Sequence, residues 1–247
     1  MAEEPEALVT RMIELETADG LMPCYEAVPT GGGSRCAMLV IQEAFGVNGH
    51  IQELTRRFAG EGYHAVAPAL FHRTGDNPII PYDRFDEVMK HMTALSDEGI
   101  LADVDAVRDH LSTGGIGDGH TGAIGFCMGG RASFLVAARR PLGAAVSFYG
   151  GGIVTARSLR MPALLREVAQ IETPWLGLFG DLDESIPVDD VEELRSTFAE
   201  KATVEWDVVR YADAGHGFNC DQRPSYHEAS ARDAWSRALG WFGSHLP

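Results

Sequence analysis

Long apolar runs are missing from this sequence. No stretch approaches the ~18 residues that a membrane-spanning helix needs, and the start, Met1 to Leu15, lacks the positive charge and apolar centre of a secretory leader. A cytoplasmic protein with no membrane partner is the expectation. Basic residues are scarce too: Lys and Arg number 20 against 36 Asp and Glu, for a formal net charge of -16. A surface of that sign argues against nucleic acid as a partner, although a basic pocket can hide within it. Cysteine is limited to Cys24, Cys36, Cys127 and Cys220. Without CxxC or zinc-ligand spacing, these four predict reduced thiols rather than a disulfide framework or a structural metal. Internal repeats, low-complexity tracts and charge blocks are absent as well, which leaves one domain over residues 1–247 as the simplest organisation.

What is present is an alternation of strand and helix patterns. The segment 9–29, with its Ala18-Asp19-Gly20 turn signal, predicts an antiparallel hairpin. The triple glycine at 31–33 precedes no Lys-Ser/Thr and no helix, so it is a loop rather than a phosphate cradle. Apolar runs at 36–41, 65–70, 144–149 and 175–179, and the segment 204–211, read as strands. Helical spacing covers 50–61 (closed by Gly62), 83–95, 98–111, 189–202 and 225–242, with a helical patch at 161–171 and a long loop at 71–81. This order specifies an α/β protein with a doubly wound, mostly parallel sheet and an N-terminal antiparallel hairpin. In such sheets ligands bind at the carboxyl ends of the strands, so the loops after the strands are where chemistry is expected.

The most informative stretch is Thr121 to Ala138, TGAIGFCMGGRASFLVAA. Its first half is a buried-strand pattern and its second half a helical one, and at the corner stands Cys127, framed as Gly125-x-Cys127-x-Gly129-Gly130. Strand, one-residue corner and helix make up a nucleophile elbow, whose glycines let strand and helix approach without Cβ clashes. A thiol at a helix N-terminus is favoured as thiolate by the helix dipole. The N–H of Met128 would point at an oxygen on the attacked carbon.

A thiolate nucleophile needs a base, and the base needs a group that fixes its tautomer. His216 lies in Asp213-Ala214-Gly215-His216-Gly217-Phe218, directly after the last strand pattern. His64 opens a strand, and His91 and His110 lie in helix patterns. The loop after 175–179 carries Asp181, Asp183 and Glu184; Asp183, with Pro187 after it, is the first choice for the acid and Asp181 the second. The order nucleophile, acid, histidine is that of the α/β-hydrolases.

Four ordered motifs, Gln42-Glu43-Ala44-Phe45-Gly46-Val47-Asn48, Gly125-Phe126-Cys127-Met128-Gly129-Gly130, Asp183-Glu184-Ser185-Ile186-Pro187 and Ala214-Gly215-His216-Gly217-Phe218, together resemble the dienelactone hydrolase family, or carboxymethylenebutenolidases. The resemblance runs from about residue 8 to the C-terminus. It implies a monomeric or weakly associating cytoplasmic enzyme that opens lactones or cleaves related small esters with a Cys-Asp-His triad and no metal or other cofactor. It further implies that Glu43 holds the resting thiol until substrate displaces it, and that the N–H of Ala44 is the second oxyanion donor. Arg73 falls where the first of two carboxylate-binding arginines is expected. Cys220 stands where the second would be, and Phe148, followed by Tyr149, where an aromatic hydroxyl would be. These departures shift the expected substrates from tightly clamped carboxylates toward other lactones and small esters. A rival reading is a low-turnover, ligand-binding or redox-responsive protein in which Cys127 and Cys220 form a reversible disulfide.

Overall fold

The computed structural model describes residues 8–31, 33–75 and 77–247. Gly32 of the triple glycine, Asp76 of the 71–81 loop and the first seven residues lie outside the described residues. The sheet is built around β5 (Thr121–Phe126), all six of whose residues are buried. Small side chains there allow helices to pack on both faces: a Cβ at Gly122 would come within 2.8 Å of Met38 and 2.9 Å of Phe242. Parallel on one side of β5 lie β3 (Ala37–Ile41) and β4 (His64–Pro68), and on the other β6 (Ala144–Phe148), β7 (Trp175–Gly180) and β8 (Trp206–Tyr211). The hairpin β1 (Leu8–Thr17) and β2 (Gly20–Pro29) adds antiparallel to β4, giving the order β1-β2-β4-β3-β5-β6-β7-β8.

Helices cover both faces, which is why the inner strands β3 to β7 read as nearly continuous apolar runs, while the edge strand β8, WDVVRY, is only partly buried. On one face α1 (Gly49–Gly60) and α6 (Glu228–His245) meet through Phe58, whose ring is tilted against Trp235 and edge-to-face with Phe242. On the other run α3 (Asp97–Thr113), α4 (Met128–Arg139) and α5 (Val188–Lys201), while α2 (Phe85–Met92) precedes α3. Caps fix where α1 and α3 begin: the side chains of Asn48 and Ser96 accept from the backbone N–H of Ile51 (3.2 Å) and Gly99 (3.1 Å). Gly62, at φ +91°, turns the chain out of α1 toward β4. The helical patch expected over 161–171 is only a short 3₁₀ stretch, Leu165–Gln170, in which Val168 alone is buried, too little apolar surface to hold a full helix. No helix among the described residues is long and apolar enough to cross a membrane.

From β3 the chain moves outward to β4, and from β5 it moves the other way to β6. The strand order therefore reverses between β3 and β5, whose ends lie side by side at Ile41 and Gly125. The loops that leave these two ends diverge and open a crevice. Glu43 and Cys127 are the residues that stand there.

Candidate active site

Cys127 sits between β5 and α4 with φ 57° and ψ -118°, a left-handed conformation costly for a residue with a Cβ. Its surroundings enforce it. A Cβ on Gly125 would lie 1.8 Å from the carbonyl oxygen of Gly129, and one on Gly129 2.4 Å from that of Gln42, so the tight corner exists only with glycine at both places. The backbone N–H of Cys127 is held by the carbonyl of Phe148 at 3.0 Å. The thiol thus emerges, partly exposed, at the N-terminus of a helix whose first N–H groups, Met128's included, have no partner within the helix.

The Cys127 sulfur lies 3.0 Å from Nε2 of His216, and Nδ1 of the same ring lies 2.6 Å from Oδ2 of Asp183. Asp183 is buried, and its other oxygen accepts from the hydroxyl (2.7 Å) and backbone N–H (2.9 Å) of Ser185. Burial raises the affinity of the Asp183 carboxyl for its proton, but His216 and Ser185 outweigh it and the pKa falls below the usual carboxylate value. For His216 burial opposes charge, yet the neighbouring Cys127 sulfur and the Asp183 carboxylate raise the imidazole to about 10. The loops bearing these groups are tied together, since the N–H of Leu182 donates to Ala214 at 2.9 Å and that of Asp181 to Tyr211 at 2.9 Å. Asp181 itself points elsewhere, accepting from Arg210 at 2.7 and 2.8 Å, so Asp183 is the carboxylate brought to the imidazole.

Across the crevice Glu43 is fully buried, with Oε1 3.4 Å from the Tyr149 hydroxyl and 3.6 Å from Arg223, and with Oε2 unpartnered. Burial raises its pKa, against the pull of Arg223 and His216. The polar partner of the thiol is His216, not Glu43, which departs from the expectation that Glu43 holds the resting sulfur. Gln42 fixes this loop, its side chain donating to the Glu43 carbonyl at 3.1 Å and accepting from the N–H of Leu70 at 3.0 Å. Of the two aromatic candidates, Tyr149 faces the site, its ring 5.2 Å from that of His216, while Phe148 packs into the core against Phe126 and Phe218.

Arg73 is a correction. Its guanidinium is occupied by Asp103 (2.7 and 2.8 Å), Asp19 (2.6 Å) and the Gly99 carbonyl (3.3 Å), and so ties the hairpin turn to α3 instead of facing the thiol. The cation that does reach the crevice is Arg223, which the sequence reading missed. It lies over the rings of Phe45 and Tyr82, and Gly217 makes room for it, since a Cβ there would meet its Nη1 at 2.3 Å. Its signal was faint: one Arg in the loop that follows His216. Cys220 is buried with its sulfur 3.3 Å from the Tyr82 hydroxyl, and all four cysteines are free thiols.

A parallel sheet wound on both faces, a strained residue at the β5 corner and a histidine after the last strand define an α/β-hydrolase. The dienelactone hydrolase family matches residues 22–246. A "Putative carboxymethylenebutenolidase" of Salmonella typhimurium is 43% identical over 232 residues, 91% of this chain and 83% of that protein. Another, of Methylorubrum extorquens, is 34% identical over 98% of this chain and 83% of its own length. Among solved structures, the "Putative Dienelactone Hydrolase" from Klebsiella pneumoniae superposes with a TM-score of 0.88 at 37% identity, covering 96% of this chain and 99% of that one. The chain belongs to the dienelactone hydrolase family and is a hydrolase.

Proposed function

We propose that this hydrolase opens lactones of the dienelactone type, or cleaves small carboxylic esters, through a thioester on Cys127. The observation that carries the proposal is the unbroken line from sulfur to imidazole to buried carboxylate, at 3.0 and 2.6 Å. In the proposed reaction the Cys127 thiolate attacks the carbonyl carbon while His216 holds the proton. The N–H groups of Met128 and Ala44 stabilise the oxyanion; a donor of this kind accounts for a factor of about 10² to 10³ in rate. His216 then protonates the leaving alkoxide or enolate and, with Asp183 keeping its tautomer, draws a proton from the water that hydrolyses the thioester. Asp183 acts only through that imidazole.

Glu43, Tyr149 and Arg223 form the opposite wall. With Arg73 occupied elsewhere, Arg223 is the group proposed to meet a negative charge on the substrate, and Cys220 with Tyr82 lies beside it. The proposed partner is a small molecule, and the protein acts as a monomer or weak homodimer. The test is hydrolysis of a panel of lactones and short aryl esters by the wild type, Cys127→Ala and His216→Ala. Both variants are expected to lose at least about 10³-fold in kcat/KM. Near-normal rates in Cys127→Ala would remove the proposed nucleophile.

A further inference from the structure

At the crevice wall, and given no bond-making or proton-transfer step in the proposed reaction, lies a second set of reactive groups: the Glu43 carboxylate from the loop after β3, the His50 imidazole from the first turn of α1, and the Cys220 sulfur from the loop after His216. One donor atom of each lies within 4.8 Å of the others, and all three residues are buried. Two of the set hold polar atoms without any partner, Oε2 of Glu43 and Nε2 of His50. Orphaned buried polar atoms are costly, and two of them on residues of one cluster call for a ligand. From this geometry we propose that Glu43, His50 and Cys220 bind a borderline-soft divalent cation of the Zn²⁺ class.

The chemistry of the donors fits that class. One sulfur, one imidazole nitrogen and one carboxylate oxygen suit Zn²⁺ rather than Mg²⁺ or Ca²⁺, which take oxygen donors. Tetrahedral bonds of about 2.0 to 2.3 Å place donors roughly 3.3 to 3.8 Å apart, within reach of small side-chain rotations. The Cys220 thiol loses its proton to solvent as the sulfur–metal bond forms. Arg223 lies 3.6 Å from Oε1 of Glu43, while Oε2 has no partner. His50 also lines a cavity of about 420 Å³ that carries the carboxylates of Glu53 and Asp221 together with the guanidinium groups of Arg57 and Arg232. The Glu26, His64 and His110 cluster has no such orphaned carboxylate oxygen, because both Glu26 oxygens are already taken by His64, His110 and Arg11.

Occupancy would immobilise Glu43 and Cys220 at the wall of the crevice and so slow hydrolysis; that consequence alone rests on the hydrolase reading. The test is titration of the chelator-treated protein with ZnCl₂ against a chromogenic chelator, and with Co²⁺ to read thiolate-to-metal absorption. One Zn²⁺ per chain is expected for the wild type and for Cys127→Ala. Affinity should fall at least about 100-fold in both His50→Ala and the better-filling His50→Gln, and the Co²⁺–thiolate band should vanish in Cys220→Ser. An absence of Zn²⁺ binding, binding unchanged by both His50 variants, or binding lost in Cys127→Ala would overturn the site, the last placing the metal on the thiol and His216. The titration reads binding alone, so it stands or falls separately from esterase activity.

Discussion

At the scale of single residues, the reactive groups divide according to what their neighbours leave free. Asp181 is consumed by Arg210 and Arg73 by Asp103 and Asp19, whereas Asp183 is turned to the His216 imidazole and Arg223 toward Glu43 at the crevice wall. Arg223→Met is therefore expected to raise KM about 10- to 100-fold for substrates bearing a carboxylate and to leave neutral aryl esters nearly unchanged, as steady-state kinetics on matched pairs would reveal. A second expectation concerns Glu26. Its burial opposes charge, but hydrogen bonds from His64, His110 and Arg11 prevail and lower its pKa to about 2. A depressed carboxylate pKa stabilises the fold above the unfolded value of about 4.5, and that stability disappears as pH falls through about 2. Against Glu26→Gln, wild type should gain about 3 kcal/mol at neutral pH and converge with it in acid, as measured by urea unfolding across pH. Cys127 and His216 were legible because glycines and strand ends mark their places in the chain. Arg73 was misread because the acids that capture it, Asp19 and Asp103, lie 54 and 30 positions away in the sequence. Asp183 could not be told from Asp181 by spacing, since the difference is an arginine supplied by β8.

At the scale of elements, the elbow depends on backbone contact between β5, α4 and the end of β3. Gly129→Ala would drive a methyl group into the carbonyls of Gln42 and Ile41, each 2.4 Å from the new Cβ, with only backbone to yield. The expected outcome is a loss of about 1 to 3 kcal/mol in denaturant unfolding together with a collapse of turnover, because the shift opens the corner that strains Cys127. The apolar strands and the long helices were legible from periodicity alone, as buried runs with small residues where helices press close. The reach of the crevice was less so. Gly46, at φ +82°, lets the loop after β3 fold under Pro78, and the N–H of Ile80 donates to Phe45 at 3.1 Å, contacts between loops that no local pattern encodes.

At the scale of the whole molecule, the elbow helix is fastened to the rest of the fold by one buried ion pair. Arg131 of α4 meets Asp97 of α3 at 2.5 and 3.1 Å and also donates to the carbonyls of Gly152 (3.1 Å) and Pro162 (2.5 Å). Asp97→Ala would leave a buried guanidinium without its anion and is expected to destabilise the protein by about 3 to 5 kcal/mol in thermal or denaturant unfolding. The sheet brings to one crevice a thiol, an imidazole and a carboxylate that the chain spreads over Cys127, Asp183 and His216, and the reaction proposed for the hydrolase passes through an acyl group on that sulfur. The most direct measurement is acid-quenched intact-mass analysis during turnover of a slowly deacylated aryl ester, with peptide mapping. One acyl group on Cys127, discharged by hydroxylamine and absent from Cys127→Ala, is the predicted result; continued turnover with no acyl group on that sulfur, or with the group on another residue, would contradict it.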